Sequence, residues 1–131
     1  MCICFVDLEK AFDRVTWDKL ISILKDKGID WKERRIIWNL YRGQRISIKV
    51  GKEETEEVEI SRGVRQGCPM SPILFNIYLE DMIIEHLEGR GVHIGGRSIR
   101  CIRFADDMAL LAEDEEDLQG MVTNLEEGCI K

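Results

Sequence analysis

Phe104-Ala105-Asp106-Asp107 sets two adjacent carboxylates between the apolar segments Cys101-Ile102-Arg103 and Met108-Ala109-Leu110-Leu111-Ala112. No other stretch limits the fold so tightly. Flanks this rich in Ile, Leu and Phe belong in an interior, where an ionised carboxylate is strongly disfavoured unless it is paired or neutralised. A hairpin tip resolves the conflict. A strand ending at Phe104 turns at Ala105-Asp106-Asp107 and returns from Met108 to Ala112, leaving both acids at the edge of a buried sheet, able to hold a divalent cation. Taken alone the pair reads first as an acidic turn, because Asp is common in turns.

A second acid in a similar setting shifts that balance. Asp7 ends the apolar run Cys2-Ile3-Cys4-Phe5-Val6, which reads as a buried strand by its length and its β-branched and aromatic content, and Lys10-Ala11-Phe12-Asp13 then begins a turn into helix. One acid at a strand end and two at a hairpin tip can converge as oxygen ligands of the kind hard cations such as magnesium require. Between them lies Arg65-Gln66-Gly67-Cys68-Pro69-Met70-Ser71-Pro72, where Gly and two prolines mark a loop before a helix. By itself that segment is equally a well-punctuated helix start.

The rest of the chain must supply a core. With 131 residues, 44% of them hydrophobic, it can bury roughly two-thirds of its unfolded surface, enough for one modest domain. No stretch approaches the ~20 apolar residues of a membrane span, and the apolar opening lacks the basic segment of a secretory signal. An intracellular setting, cytoplasm or nucleus, is therefore expected, with no membrane partner. Cys2, Cys4, Cys68, Cys101 and Cys129 form no Cys-x-x-Cys pair, so reduced thiols are expected over disulfides or zinc. His86 and His93 lack ligand-spaced partners.

A formal net charge of −6 argues at first against a nucleic-acid protein. Residues 113–131 hold seven acids and one base, which accounts for the whole excess and leaves residues 1–112 balanced. Two groups of cations, Arg34, Arg35, Arg42, Arg45 and Lys49, and Arg90, Arg97, Arg100 and Arg103, can face phosphate or form a solvated face with ordinary ion pairs.

Strand and helix patterns alternate along the chain, as in α/β or α+β packing. Trp17, Leu20, Ile21 and Leu24 recur at helical spacing, with Gly28 as a stop. Asp30 and Glu33 have capping-box spacing before Ile36, Ile37, Leu40 and Tyr41. Ile46, Ile48 and Val50 alternate toward Gly51-Lys52, and Val58 and Ile60 alternate after it, predicting a hairpin. A helix is expected from Ser71 to about Glu88 with Ile73, Leu74, Ile77, Ile84 and Leu87 on its core side. A small hairpin is expected around Gly95-Gly96. Last comes a helix with Leu118, Met121, Val122 and Leu125 as its stripe, an acidic first turn that suits the dipole, and Gly128 as its C-terminal cap.

In this order, the three segments resemble the palm of a reverse transcriptase of the non-LTR (LINE-like) retrotransposon type. Phe5-Val6-Asp7-Leu8-Glu9-Lys10-Ala11-Phe12-Asp13-Arg14-Val15 matches the family's motif A, and residues Gly63 to Asn76 match motif B. Phe104-Ala105-Asp106-Asp107 matches motif C. The resemblance implies an α+β fold, a polymerase-type palm with an antiparallel sheet, helices packed on one face and the acids at the open face, in a single fragment over residues 1–131. It implies an RNA-directed DNA polymerase acting with an RNA template, a DNA primer and deoxynucleoside triphosphates. Asp7 and Asp106 would be the principal ligands of two magnesium ions, with manganese as a substitute and Asp107 as the supporting acid; such ions lie about 3.5–4 Å apart and serve the attacking and leaving oxygens. Leu8, Ala11 and Phe12 match nucleotide-binding positions, with backbone N–H groups around Ala11 and Phe12 for the triphosphate. Phe12 also matches the steric gate that excludes a ribose 2′-hydroxyl; its other reading is a core aromatic beside Val15. Gln66 and Gly67 match positions lining the nucleotide and template path. Asp13 and Arg65 read as structural, Lys10 and Arg14 as exposed turn charges.

The family's fingers precede motif A, and its thumb and primer grip follow motif C. The expectation is thus a palm piece that depends on the fingers and thumb of a longer chain and is inactive alone, or a retroelement relic serving as a binding module. Another palm-type nucleotidyl transferase, such as a cyclase, would share the metal chemistry, and Gln66-Gly67 before Pro69 and Pro72 argues against it by resemblance.

Overall fold

The apolar run at the start of the chain forms β1 (Cys2–Asp7), and the segment after the acidic tip forms β9 (Asp107–Ala112). With β8 (Cys101–Phe104) they make an antiparallel sheet in the order β1-β9-β8. The computed structural model describes residues 1–87, 89–104 and 107–130. Ala105 and Asp106, at the tip of the predicted hairpin, lie outside them. Two units are distinguished, Met1–Ala11 with Tyr78–Lys131, and Phe12–Ile77.

In the first unit the pleat sorts the sheet into two faces. Cys2, Cys4 and Val6 pair with Ala112, Leu110 and Met108, and the three β9 residues are buried. Helix α4 (Glu115–Ile130) packs on β9 and β1, and its Met121 and Leu125 are buried. The opposite face carries Ile3, Phe5 and Asp7, all exposed. β1 is therefore one-sided rather than a fully buried strand, because its apolar run does not reveal that every second side chain faces outward. Asp114 caps α4, accepting from the Asp117 N–H at 2.8 Å. Gly128 does not end that helix, which runs through it to Ile130. A Cβ there would collide with the His86 ring, so this glycine makes room for a side chain instead of terminating the coil. The predicted hairpin is present as β6 (Val92–Ile94) and β7 (Arg97–Ile99), with positive φ at both Gly95 and Gly96, the requirement of a type I′ turn. Arg90 bonds Asp117 at 3.0 Å, and Arg103 pairs with Glu80. These two cations of the second basic group therefore hold the unit together. Cys2, Cys4, Cys68 and Cys101 carry free thiols, and burial pushes the Cys101 thiol up from its ordinary pKa.

The second unit opens on a 3-10 turn (Ala11–Arg14, its first residue in the other unit) and α1 (Trp17–Asp26). Trp17, Leu20, Ile23 and Leu24 are buried, so Ile23 takes a place predicted for Ile21. Gly28 at φ +84 ends the helix, with Gly28 N–H to Lys25 C=O and Ile29 N–H to Leu24 C=O, both 3.0 Å, the Schellman pattern. Helix α2 (Trp31–Tyr41) is capped by Asp30, whose carboxylate accepts from the Trp31 N–H at 2.7 Å. The hairpin is two short ladders, β2 (Arg45–Ile46) with β5 (Val58–Glu59) and β3 (Lys49–Val50) with β4 (Glu53–Glu54), turning at Gly51.

Helix α3 (Ser71–His86) starts as predicted. Its buried stripe is Ser71, Leu74, Phe75, Leu79, Met82 and Ile83, while Ile73 and Ile84 are exposed. A helix apolar on nearly every side leaves its phase undetermined by pattern alone. None of the described helices is long and apolar enough to cross a membrane.

Glycine requirements separate two turns. Gly91 has φ +106, and a Cβ would stand 2.7 Å from the Ile99 carbonyl oxygen, whereas Gly51 at φ +64 has nothing within 4 Å. Gly91→Ala should cost about 2–4 kcal/mol, strain and overpacking together, and Gly51→Ala about 1 kcal/mol. Urea midpoints of the two variants compared with wild type check this; equal shifts would contradict the packing assigned to Gly91.

Candidate active site

Antiparallel register sets Asp7 directly opposite Asp107. Both are exposed, and the pleat places them on one face with Phe5, Ala109, Ile102 and Phe104. Phe104 pairs with Asp107, so Asp7, Asp107 and Phe104 form one cross-strand row; Phe5, Ala109 and Ile102 form the next. Phe5 is 85% and Phe104 83% exposed, far from the ordinary fate of phenylalanine. A depression of about 390 Å³ is lined by these residues.

Like charges directly opposite on a sheet destabilise it. Among the described residues neither carboxylate has a hydrogen-bond or ion-pair partner. Ionised carboxylates are acceptor-only oxygen donors, so the pair fits a hard divalent cation, which relieves the repulsion and satisfies the lone pairs. The described residues include no group of three metal-ligating side chains. Asp106, the other predicted principal ligand, lies outside the described residues.

Beyond Asp7 the chain turns through half-buried Leu8 and exposed Glu9 and Lys10 into half-buried Ala11. Lys10 has φ +53 and is the one non-glycine residue with positive φ among those described. A left-handed backbone costs an L-residue roughly 1–2 kcal/mol, and strain of this kind gathers at functional sites. Lys10 is exposed in the turn, as expected, and carries this local strain as well. No sequence signal announces this, since Lys has no preference for that conformation.

Phe12, Gln66 and Gly67 belong to the second unit. The Phe12 ring is half-buried and stacks on buried Phe75 of α3, centroids 4.5 Å apart and planes 17° from parallel. Its ring partner is thus Phe75, far along the chain from Val15. Gln66 and Gly67 are exposed. The Cys68 N–H reaches the Arg65 carbonyl at 3.3 Å across Gly67 at φ +83, and the Ser71 N–H reaches the Cys68 carbonyl at 3.1 Å across Pro69. Two successive β-turns, one needing Gly at its third position and one using Pro at its second, thus explain the spelling Arg-Gln-Gly-Cys-Pro-Met-Ser. The Met70 N–H, with the Ser71 hydroxyl and N–H and the Arg65 charge, holds the Cys68 thiol below its ordinary pKa against a desolvation that raises it.

The ends of this loop are braced. Gly63 N–H bonds the Val15 carbonyl at 2.7 Å, Val64 N–H bonds the Phe12 carbonyl at 2.9 Å, and the Trp17 indole donates to the Gly63 carbonyl at 2.7 Å. At the other end buried Tyr41 and Ser71 share a hydrogen bond at 3.4 Å. Trp17 and Tyr41 are also ring neighbours, centroids 6.0 Å apart. Sequence patterns gave Trp17 and Tyr41 only as core positions.

Comparison with known proteins gives the family of the chain. The family model described as reverse transcriptase (RNA-dependent DNA polymerase) matches residues 1–131. The chain is 35% identical over 126 residues to a retrovirus-related Pol polyprotein from type-1 retrotransposable element R2 of Nasonia vitripennis, covering 96% of this chain and 12% of that protein. It is 32% identical over 119 residues to the corresponding polyprotein from type-2 element R2DM of Drosophila melanogaster, covering 88% and 11%. With the RNA-directed DNA polymerase from mobile element jockey of Drosophila funebris the identity is 26% over 110 residues, covering 84% and 12%. The chain therefore spans about an eighth of the length of these curated relatives. It belongs to the reverse transcriptase (RNA-dependent DNA polymerase) family, alongside the members carried by non-LTR retrotransposons.

Proposed function

We propose that residues 1–131 are a catalytic palm piece of an RNA-directed DNA polymerase that extends a DNA primer on an RNA template with deoxynucleoside triphosphates. The observation that carries the proposal is the opposition of Asp7 and Asp107 on an exposed apolar sheet face. In this reading Asp7, Asp106 and Asp107 hold two magnesium ions. When bound, such ions lower the pKa of the primer 3′-hydroxyl and neutralise charge developing at the α-phosphate. Asp7 and Asp107, having no cationic side chain as a partner among the described residues, keep their oxygens free for that task. Leu8 and the backbone around Ala11 serve the triphosphate, and Gln66 and Gly67 serve nucleotide and template. Phe12 discriminates the sugar, its ring held in place by Phe75.

The metal reading makes two linked predictions. Asp107→Asn should stabilise the chain in chelator by a few tenths to about 1 kcal/mol, because a like-charge pair is removed, and should lose the stabilisation that manganese confers on wild type. Thermal unfolding with and without manganese measures both, and equal manganese affinity in wild type and an Asp7→Asn, Asp107→Asn double variant would sink the site.

Sugar choice tests Phe12. In a polymerase retaining the neighbouring domains, Phe12→Val should raise ribonucleotide incorporation relative to deoxynucleotide, and Phe75→Ala should raise it less by loosening the ring. If neither variant changes the ratio, Phe12 is a packing residue only.

Residues 1–131 by themselves should extend a primer little or not at all, since misplacing the reacting hydroxyl by about 1 Å can cost on the order of 10²-fold. The check is primer extension on an RNA template with magnesium, with Asp106→Asn as the control. Robust extension that vanishes in that variant would show these residues to be self-sufficient.

A further inference from the structure

Helix α2 carries chemistry that the catalytic proposal leaves unused. Trp31, Arg35, Asn39, Lys32 and Ile36 are all exposed and fall within roughly 140° of the helix circumference at 3.6 residues per turn. Glu33, the one acid of this helix, lies outside that arc, and exposed Arg42 continues the positive charge at the C-cap. Trp31 is 55% and Ile36 68% exposed, and the Lys32 ammonium lies 6.0 Å from the Trp31 ring centroid. Among the described residues no acid lies in ion-pair range of Lys32, Arg35 or Arg42. An ordinary solvated helix face would intersperse acids with these cations, and in a chain of net charge −6 acids are plentiful. Their exclusion from this arc, next to an indole held open to solvent, is the combination that single-stranded nucleic acid requires: cations along the phosphates and an aromatic plane for a base.

We propose that this arc of α2 is a binding surface for single-stranded nucleic acid, with Lys32, Arg35 and Arg42 on the phosphates and Trp31 stacked on a base. An anionic protein would use the cations but give the exposed indole no role, and a duplex would offer the indole no unstacked base. The inference rests on the polymerase reading only for the choice of RNA as probe.

The test is fluorescence anisotropy of a short labelled single-stranded RNA with the full 131-residue chain over a series of salt concentrations. Lys32→Gln with Arg35→Gln should weaken binding on the order of tenfold and reduce the slope of log affinity against log salt by about 1.4, at about 0.7 per phosphate contact on a single strand. Trp31→Ala should weaken binding of the single strand several-fold with little change in slope, and leave an RNA duplex unaffected. Lys49→Gln with Lys52→Gln, the same charge change on the exposed hairpin, is the control. All five positions are exposed, so folding is expected to survive, and circular dichroism verifies it. An equal loss in control and test pairs, an unchanged affinity and slope in the test pair, or no RNA binding by wild type at low salt would each overturn the proposal. Asp107→Asn separates it from the catalytic reading, because that variant should retain RNA binding whether or not the chain belongs to an active polymerase.

Discussion

The pairing of β1 with β9 is the constraint on which the acidic site depends. Side chains alternate with period two, so a slip of one residue would turn Asp7 toward the helix-covered face and bring Val6 outward. What prevents the slip is remote from the acids. Met108, Leu110 and Ala112 are buried on the inner face, where α4 packs with Met121 and Leu125. Each buried Met or Leu among them contributes roughly 1.5–3 kcal/mol of burial, together far more than the like-charge penalty at Asp7 and Asp107. Apolar packing behind the sheet thereby holds two repelling carboxylates together in front of it.

In the second unit, hydrogen bonds from buried aromatic side chains do comparable work. The loop from Gly63 to Ser71 must present Gln66 and Gly67 to solvent while both its ends are fixed. Trp17 secures one end through the Gly63 carbonyl and Tyr41 the other through Ser71, and both anchors are buried. A buried indole N–H or phenol needs a partner, so each aromatic gains its own satisfaction by fixing the loop. Gly63 itself has φ +98 and would place a Cβ 3.1 Å from the Asp13 Cα. Glycine lets the turn at Asp13 and the loop from Gly63 come this close.

Much of this was legible in the sequence where local chemistry has one solution. The hairpin flanking the acids, the Gly95-Gly96 turn, the Gly28 stop and the start of α3 at Ser71 all follow from residues that permit little else. Where local chemistry permits several solutions, pattern alone failed. Helix α3 is apolar almost all round, so its pattern places Ile73 and Ile84 in the core, whereas the packed stripe runs through Phe75, Leu79, Met82 and Ile83. Gly128 has the spelling of a helix stop, yet its role is set by the His86 ring from another helix, which no local rule contains. At the site, Asp7 and Asp107 stood out because acids beside apolar runs demand an explanation, whereas the strain at Lys10 and the brace through Trp17 arise from tertiary geometry.

Departures from the rules of stable folding are not spread evenly. Around the end of β1 lie two facing carboxylates, two phenylalanines open to solvent and a lysine with a left-handed backbone, each unfavourable to folding. Elsewhere in the first unit Asp114 caps α4 and Arg90 and Arg103 are paired. A folded chain tolerates a concentration of local violations when the rest of the structure over-determines the geometry. Under the proposed function each violation has a use. Unpaired carboxylates remain available to cations, uncovered rings provide an apolar surface beside them, and the turn at Lys10 leads directly from Asp7 to Ala11. Pairing Asp7 with a nearby arginine would make the sheet more comfortable and would occupy the same oxygens that a cation needs.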